Sequence, residues 1–205
     1  INMKLLNKKK LLLKKIRNRE TTIGSWVQIN NPDVAEILGR SNYEWVVVDM
    51  EHSTIELNDL PNLFRSIELG GSIPFVRLPQ DYDSLCPRVL DAGACGIIFP
   101  NVKDLKQINN SIKKCLWPNL GTRGLGFSRS NLHGLKLDSY KKKFIRPIII
   151  TMIESLEGVE NLESILLNKY IDSILIGPYD LSMSLGIPGD FNSEIFKSSI
   201  KKIFN

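Results

Sequence analysis

Apolar and polar residues along the chain alternate between two regimes. Short unbroken apolar runs, rich in β-branched residues, occur at IGSWVQI (23–29), WVVVDM (45–50), IPFVRL (73–78), GIIFP (96–100), PIIITMIE (147–154) and DSILIG (172–177). Runs of this length and composition read as fully buried strands. Between them, apolar residues recur at helical spacing in PDVAEILGRS, ELNDLPNLFRSIEL, YDSLCPRVLDAG, KDLKQINNSIKKCL and LEGVENLESILLN. Strands that lack a polar face and alternate with helices predict a parallel sheet covered by helices. Two α/β architectures satisfy this pattern, a doubly wound sheet and a barrel.

The polar residues separate the two. In barrels of the TIM type the chemistry sits on loops at the carboxyl ends of the strands. Four of the predicted strands end in charge: the second in Asp49, Glu51 and His52, the third in Arg77, the fifth in Glu154 and the sixth in GPYD with Asp180. A doubly wound sheet concentrates binding at one switch point, usually behind a glycine-rich turn after the first strand. That position here reads NNPD. The pattern predicts a TIM (β/α)8-type barrel.

The residue types at these ends suggest chemistry. Glu154 and Asp180, at the mouths of adjacent strands, repel each other unless a cation or a proton lies between them. Two carboxylates with water or substrate oxygens suit Mg2+ or Mn2+. The alternative is that each pairs with a local cation or caps a helix, Asp180 being placed to cap LSMSLG. Arg77 suits forked recognition of a carboxylate or of a developing oxyanion. It is equally placed to bridge Asp49 on the neighbouring strand, and both can hold together. His52, one of two histidines with His133, is either a structural histidine or a general base tuned by an acidic partner. The stretch GTRGLGFSRSN (121–131) reverses the dinucleotide fingerprint and follows no strand. It is expected to fold over the barrel mouth, with Arg123 or Arg129 reaching a substrate or a neighbouring subunit.

The 205 residues suit one domain with one sizeable core. The net charge of +5 is uneven, because eight basic residues from Lys4 to Arg19 precede the first acid and leave 19 basic and 22 acidic residues in the body. This divides the chain into a basic N-terminal helix over 1–20 and a barrel domain over 21–205. The body has no basic stripe with interleaved aromatics, which argues against nucleic acid as a partner. The segment KLLNKKKLLLKKIRN could lie on an anionic membrane. A surface helix covering one end of the body is the reading adopted, since its three-leucine run is neither a signal-peptide core nor followed by a cleavage site. The longest apolar stretches, such as PIIITMI (147–153), are too short to cross a bilayer. Cys86, Cys95 and Cys115 form no CxxC pair, as expected for reduced core thiols of a cytoplasmic protein. The chain opens on Ile1, and the natural start is expected at Met3 or upstream.

Taken in order, GSW, VVVDMEHS, VRLP, VLDAGACGIIFPNV, GTRGLGFSRSN, IIITMIES and ILIGPYDLSMSLG resemble the metal-dependent (class II) pyruvate aldolases of the HpcH/HpaI aldolase/citrate lyase family, from about residue 11 to the C-terminus. The resemblance implies a carbon–carbon lyase that reversibly cleaves 4-hydroxy-2-oxo acids into pyruvate, or a related 2-oxo acid, and an aldehyde through a metal-stabilised enolate. It implies Mg2+, Mn2+ or Co2+ held by Glu154 and Asp180, His52 as the acid/base, and Asp91 of VLDAG as the aspartate paired with that histidine. It further implies Arg77 as the catalytic and substrate-binding arginine, Asp49 and Glu51 as acids supporting it, and the backbone of Gly177, Pro178 and Tyr179 against the substrate carboxylate. The family usually has a smaller residue where Tyr179 stands. A homo-oligomer, a hexamer of paired trimers, is also implied.

Six strands are two short of an eight-stranded barrel, and family members continue for roughly fifty residues more. The expected fold is a TIM-type barrel truncated after about six strands, a fragment or shortened reading of a longer chain, with two exposed sheet edges prone to association. Rival functions are a Schiff-base aldolase, for which Lys103 after FPNV is the nearest lysine, a citrate lyase β-like or malyl-coenzyme A-type lyase, for which no coenzyme A site is located, and a truncated non-catalytic barrel.

Overall fold

The computed structural model describes residues 3–81, 83–142 and 146–204. The first two residues of the expected basic helix, and Tyr82 at the start of the pattern YDSLCPRVLDAG, lie outside the described residues. Six strands form one sheet: β1 (Gly24–Val27), β2 (Trp45–Asp49), β3 (Ile73–Arg77), β4 (Gly96–Phe99), β5 (Ile148–Ile153) and β6 (Ser173–Ile176). They pair in chain order, every pair parallel. Trp26 from the β1 edge and Leu175 from the β6 edge line one cavity, so the sheet is curled. The helices are α1 (Met3–Arg17), α2 (Pro32–Arg40), α3 (Leu60–Gly70), α4 (Cys86–Ala92), α5 (Leu105–Cys115), α6 (Leu137–Lys142), α7 (Leu156–Glu160), α8 (Leu162–Ile165), α9 (Pro178–Ser184) and α10 (Glu194–Phe204). The result is an open α/β half-barrel of the TIM type, with each of the six predicted strands in place.

Local chemistry explains the helix boundaries. The Asn31 side chain accepts the backbone N–H groups of Asp33 at 2.8 Å and Val34 at 3.2 Å, and Pro32 opens α2. Asp104 does the same for α5, accepting the Gln107 N–H at 2.8 Å. Helices α2 and α3 touch backbone to backbone: a Cβ on Gly39 would stand 2.7 Å from the Ile67 carbonyl oxygen, and one on Gly70 2.5 Å from the Gly39 carbonyl carbon. Any side chain at either position would force them apart. The short helix α6, in the long connection before β5, carries no buried residue and had no periodic signal to announce it.

The two-residue period of each strand sorts the core into two parts. Val46, Val48, Val76, Ile97 and Ile149 face outward and pack with helix residues such as Phe64, Ile67 and Ile108. Val47, Phe75, Ile98, Ile148 and Met152 face the barrel interior, where Leu5 and Leu12 of α1 join them. Each of these leucines is nearly inaccessible, a burial that contributes about 2 kcal/mol apiece. Helix α1 is pinned further by Lys8, which donates to the Gly71 carbonyl, and by Lys15, 2.6 Å from Glu44. Both acceptors precede strands, so α1 closes the amino-terminal end of the barrel.

One step further along the interior phase lies the opposite rim. Past Val47, Phe75 and Met152 come Asp49, Arg77 and Glu154, and past Trp26 and Leu175 come Gln28 and Gly177. The pleat that fills the interior with hydrocarbon thereby gathers the polar residues at the carboxyl end. Among the described residues no helix is long and apolar enough to cross a membrane.

Candidate active site

Asp49 and Arg77 sit side by side in the β2–β3 register. The guanidinium donates twice, Nε to Oδ1 at 2.8 Å and Nη2 to Oδ2 at 2.5 Å. Asp49 also accepts from Gln28 at 2.8 Å and from the backbone N–H groups of Glu51 at 3.0 Å and His52 at 3.3 Å. Burial by itself would raise the Asp49 carboxyl, yet the hydrogen bonds from Arg77 and Gln28 hold it below its ordinary range. Burial likewise opposes the charge on Arg77, and the Asp49 carboxylate more than offsets it. The bridge between Asp49 and Arg77 that the sequence offered as an alternative is therefore formed. It leaves the third nitrogen, Nη1, 3.4 Å from Glu51 and 3.9 Å from the Met152 sulfur. The guanidinium lies 4.8 Å over the Trp26 ring, which fixes its plane from the interior side.

The two backbone bonds to Asp49 turn the chain after β2 and deliver Glu51 and His52 to the rim. Glu51 is partly buried; His52 is exposed. Burial, together with the Asp49 and Asp180 charges, raises the Glu51 carboxyl against the pull of Arg77 and His52.

Glu154 follows β5 directly and is buried. Its Oε1 accepts the Asn101 N–H at 2.6 Å, whereas Oε2 is buried without a hydrogen-bond partner among the described residues. A Cβ on Gly177 would stand 2.2 Å from that oxygen, so glycine keeps the space beside Oε2 open. Burial raises the Glu154 carboxyl and the charges of Glu51 and Asp180 raise it further, opposed by the Asn101 N–H and by Arg77. Asp180 is exposed in the first turn of α9. That helix begins at Pro178, with Gly177 in the capping position. Asp180 therefore does not cap LSMSLG from outside; it stands within the helix, where the dipole favours a carboxylate.

Among the described residues no group of three or more His, Cys, Asp or Glu side chains closes into a metal cage. What the rim provides is a buried carboxylate oxygen without a donor, open space beside it and two further carboxylates close enough to raise its proton affinity. A hard divalent cation that keeps water or substrate oxygens fits this donor set.

A cavity of about 340 Å³ opens at the same rim, lined by Trp26, Gln28, Arg77 and Met152 on one side and by Leu175 through Asp180 on the other. Gly177, Pro178 and Tyr179 thus border it. Trp26 and Gln28 carry no charge and were assigned no role from the sequence. Their interior phase on β1 was the signal that could have found them.

Two expectations need correction within this chain. Asp91 does not meet His52: it lies on α4 ahead of β4, at the amino-terminal end of the sheet, and accepts from Arg123 at 2.7 Å and Ser128 at 3.4 Å. His52 follows the carboxyl end of β2, so the barrel separates the two. The loop 121–131 does not bring its arginines to the mouth, because Arg123 is buried on Asp91 and Arg129 is held by Glu68 at 2.8 Å and by the Ala92 carbonyl at 3.0 Å. Lys103 stands outside the cavity, 3.9 Å from Glu157. The cysteines Cys86, Cys95 and Cys115 are buried free thiols.

A parallel half-barrel with a fixed arginine, an unpartnered buried carboxylate oxygen and an open cavity at its carboxyl rim has the organisation of an α/β-barrel enzyme. The chain belongs to the HpcH/HpaI aldolase/citrate lyase family, whose profile matches residues 22–204. It is 29% identical over 188 residues to the 5-keto-4-deoxy-D-glucarate aldolase of Escherichia coli, which covers 91% of this chain and 73% of that protein. Among solved structures, citrate synthase SbnG is 34% identical with a TM-score of 0.82, covering 94% of this chain and 76% of that one. An HpcH/HpaI aldolase/citrate lyase family protein from Burkholderia cenocepacia J2315 is 27% identical with a TM-score of 0.88, covering 94% and 78%.

Proposed function

We propose that this chain is a metal-dependent aldolase that reversibly cleaves 4-hydroxy-2-oxo acids to pyruvate, or a related 2-oxo acid, and an aldehyde. The observation that carries the reading is the buried Glu154 Oε2, partnerless among the described residues beside Gly177 and within reach of the Arg77 charge. Glu154 and Asp180 would hold the cation, Mg2+, Mn2+ or Co2+. When bound, such an ion lowers the cost of negative charge on the oxygens of a 2-oxo acid. Arg77, locked by Asp49 and Trp26, supplies a second positive centre through Nη1 at no reorganisation cost. In cleavage the C3–C4 bond breaks, the C4 hydroxyl loses its proton and becomes the aldehyde carbonyl, and C3 takes a proton to become the methyl group of pyruvate. His52, the imidazole of the β2 loop, takes the hydroxyl proton, and water supplies the proton that C3 gains, so that His52 returns its own to solvent and the protons balance. The backbone of Gly177, Pro178 and Tyr179 borders the place of the substrate carboxylate. Asp91 has no part in the chemistry of a single chain.

The 34% identity to citrate synthase SbnG favours a second reading at the same site, carbon–carbon bond formation rather than cleavage. Exchange of pyruvate methyl protons with D2O, followed by NMR with and without Mg2+ or Mn2+, tests the aldolase reading. Cation-dependent exchange, lost in Glu154→Gln, is expected. Exchange that survives both cation removal and the substitution refutes the proposal. Release of pyruvate from a panel of 4-hydroxy-2-oxo acids then favours cleavage over synthesis.

A further inference from the structure

The proposed function leaves the aldehyde half of the substrate open, and the cavity rim limits what that half can be. Among the described lining residues Arg77 is the single cation, and Asp49 and Glu51 already surround it. Asp180 lines the same cavity, and its charge reaches Glu51 and Glu154. The cation that Glu154 and Asp180 would hold offsets those two acids and Asp49 offsets Arg77, so Glu51 and the carboxylate of the 2-oxo acid remain as negative charge, and a second carboxylate, carried by the aldehyde, would add to it and meet no free base among the described lining residues. On the β6 side the lining residues Leu175 and Ile176 are apolar, and the neutral hydrogen-bonding side chain there is Tyr179. Its ring is 69% exposed yet held in place, edge-on to Phe191 at 5.1 Å, and Phe191 packs at 5.2 Å on the buried Phe196 of α10. Its hydroxyl has no hydrogen-bond partner among the described residues. The amide nitrogen of Gln28, across the cavity, is already given to Asp49.

We infer that Tyr179 reads the aldehyde: its hydroxyl bonds a hydroxyl group near the reacting carbonyl, so the chain selects short, neutral, hydroxylated aldehydes over alkyl aldehydes and over aldehydes that carry a carboxylate. This rests on the aldolase reading above. It also sets the chain apart from the glucarate-derived substrate in the name of its Escherichia coli relative, which bears a carboxylate at each end.

The test is addition of pyruvate, with Mg2+ present, to matched aldehydes by the 205-residue protein. Glycolaldehyde and propanal have the same heavy-atom count and differ in one hydroxyl; glyceraldehyde and tartronate semialdehyde differ in one carboxylate. Ratios of kcat/KM are compared, so the fraction of active protein cancels. Wild type is expected to favour glycolaldehyde over propanal roughly fivefold to tenfold, the worth of one neutral hydrogen bond. It should favour glyceraldehyde over tartronate semialdehyde by about tenfold or more, through like-charge repulsion. Tyr179→Phe should bring the first ratio to within about twofold of one and leave the second, and Phe191→Leu, which loosens the ring, should give an intermediate first ratio. The inference is overturned if wild type shows neither preference, or if Tyr179→Phe keeps the wild-type ratio. Absence of pyruvate proton exchange in wild type would instead remove the aldolase reading and this inference with it.

Discussion

Substitution of Asp49 by Asn tests the central packing of the site. Asn keeps the shape but replaces a carboxylate oxygen by an amide nitrogen. Oδ1 receives Arg77 Nε and the N–H groups of Glu51 and His52, while Oδ2 receives Arg77 Nη2 and Gln28. Whichever way the amide turns, donors face donors, and Arg77, only 7% exposed, keeps a charge with Glu51 at 3.4 Å as its remaining partner. Leaving one member of a buried pair uncompensated costs about 3–5 kcal/mol, a large part of the roughly 5–15 kcal/mol that holds a domain together. Urea unfolding followed by circular dichroism reads this directly. Combining Asp49→Leu with Arg77→Met should cost clearly less than Asp49→Asn, because no charge is then stranded. An Asn variant within about 1 kcal/mol of wild type, or a double variant that loses more than the single, would refute the reasoning.

Other substitutions probe the remaining parts. Gly177→Ala places a methyl group 2.2 Å from Glu154 Oε2, so pyruvate proton exchange should fall by about 10²-fold, the scale of a 1 Å misplacement at a reacting centre. Near-wild-type exchange would show that the space beside Glu154 is idle. Leu12→Ala should cost about 2–5 kcal/mol in urea unfolding, since Leu12 is 2% exposed in the barrel interior; a negligible loss would mean that α1 does not close the barrel. Lys9, buried on the same helix, has its pKa pushed from 10.5 down to about 8, chiefly by burial. The folded chain therefore releases this proton at lower pH than the unfolded chain does, and stability rises between about pH 8 and 10.5. Relative to Lys9→Met, wild type should gain up to about 3 kcal/mol across that window, and parallel pH profiles of the two proteins would contradict this.

All six strands were legible because buried parallel strands carry unbroken apolar runs, and the β2–β3 pairing could be anticipated from Asp49 and Arg77 as complementary ends. The charged rim residues announced themselves by their cost: nothing in WVVVDM needs an acid unless the acid has a use. Gln28 did not announce itself, since a neutral amide after a strand looks like any loop residue until the two-residue phase is counted from Trp26. The start of α9 was readable from Pro178, which favours the first helical position, but Asp180 drew attention as a cap instead. Asp91 and the 121–131 arginines were illegible for a deeper reason. Which end of the barrel a helix residue reaches depends on where its helix stops relative to the next strand, and residue type carries no record of that.

The proposed chemistry requires Glu154 and Asp180 to share one divalent ion at the carboxyl rim. Titration with Mn2+, following the free ion by electron paramagnetic resonance, measures this without relying on turnover. Wild type is predicted to bind one ion per chain, with Glu154→Gln and Asp180→Asn each weakening it by about tenfold or more. Binding that is absent in wild type, or unchanged in both variants, would contradict it.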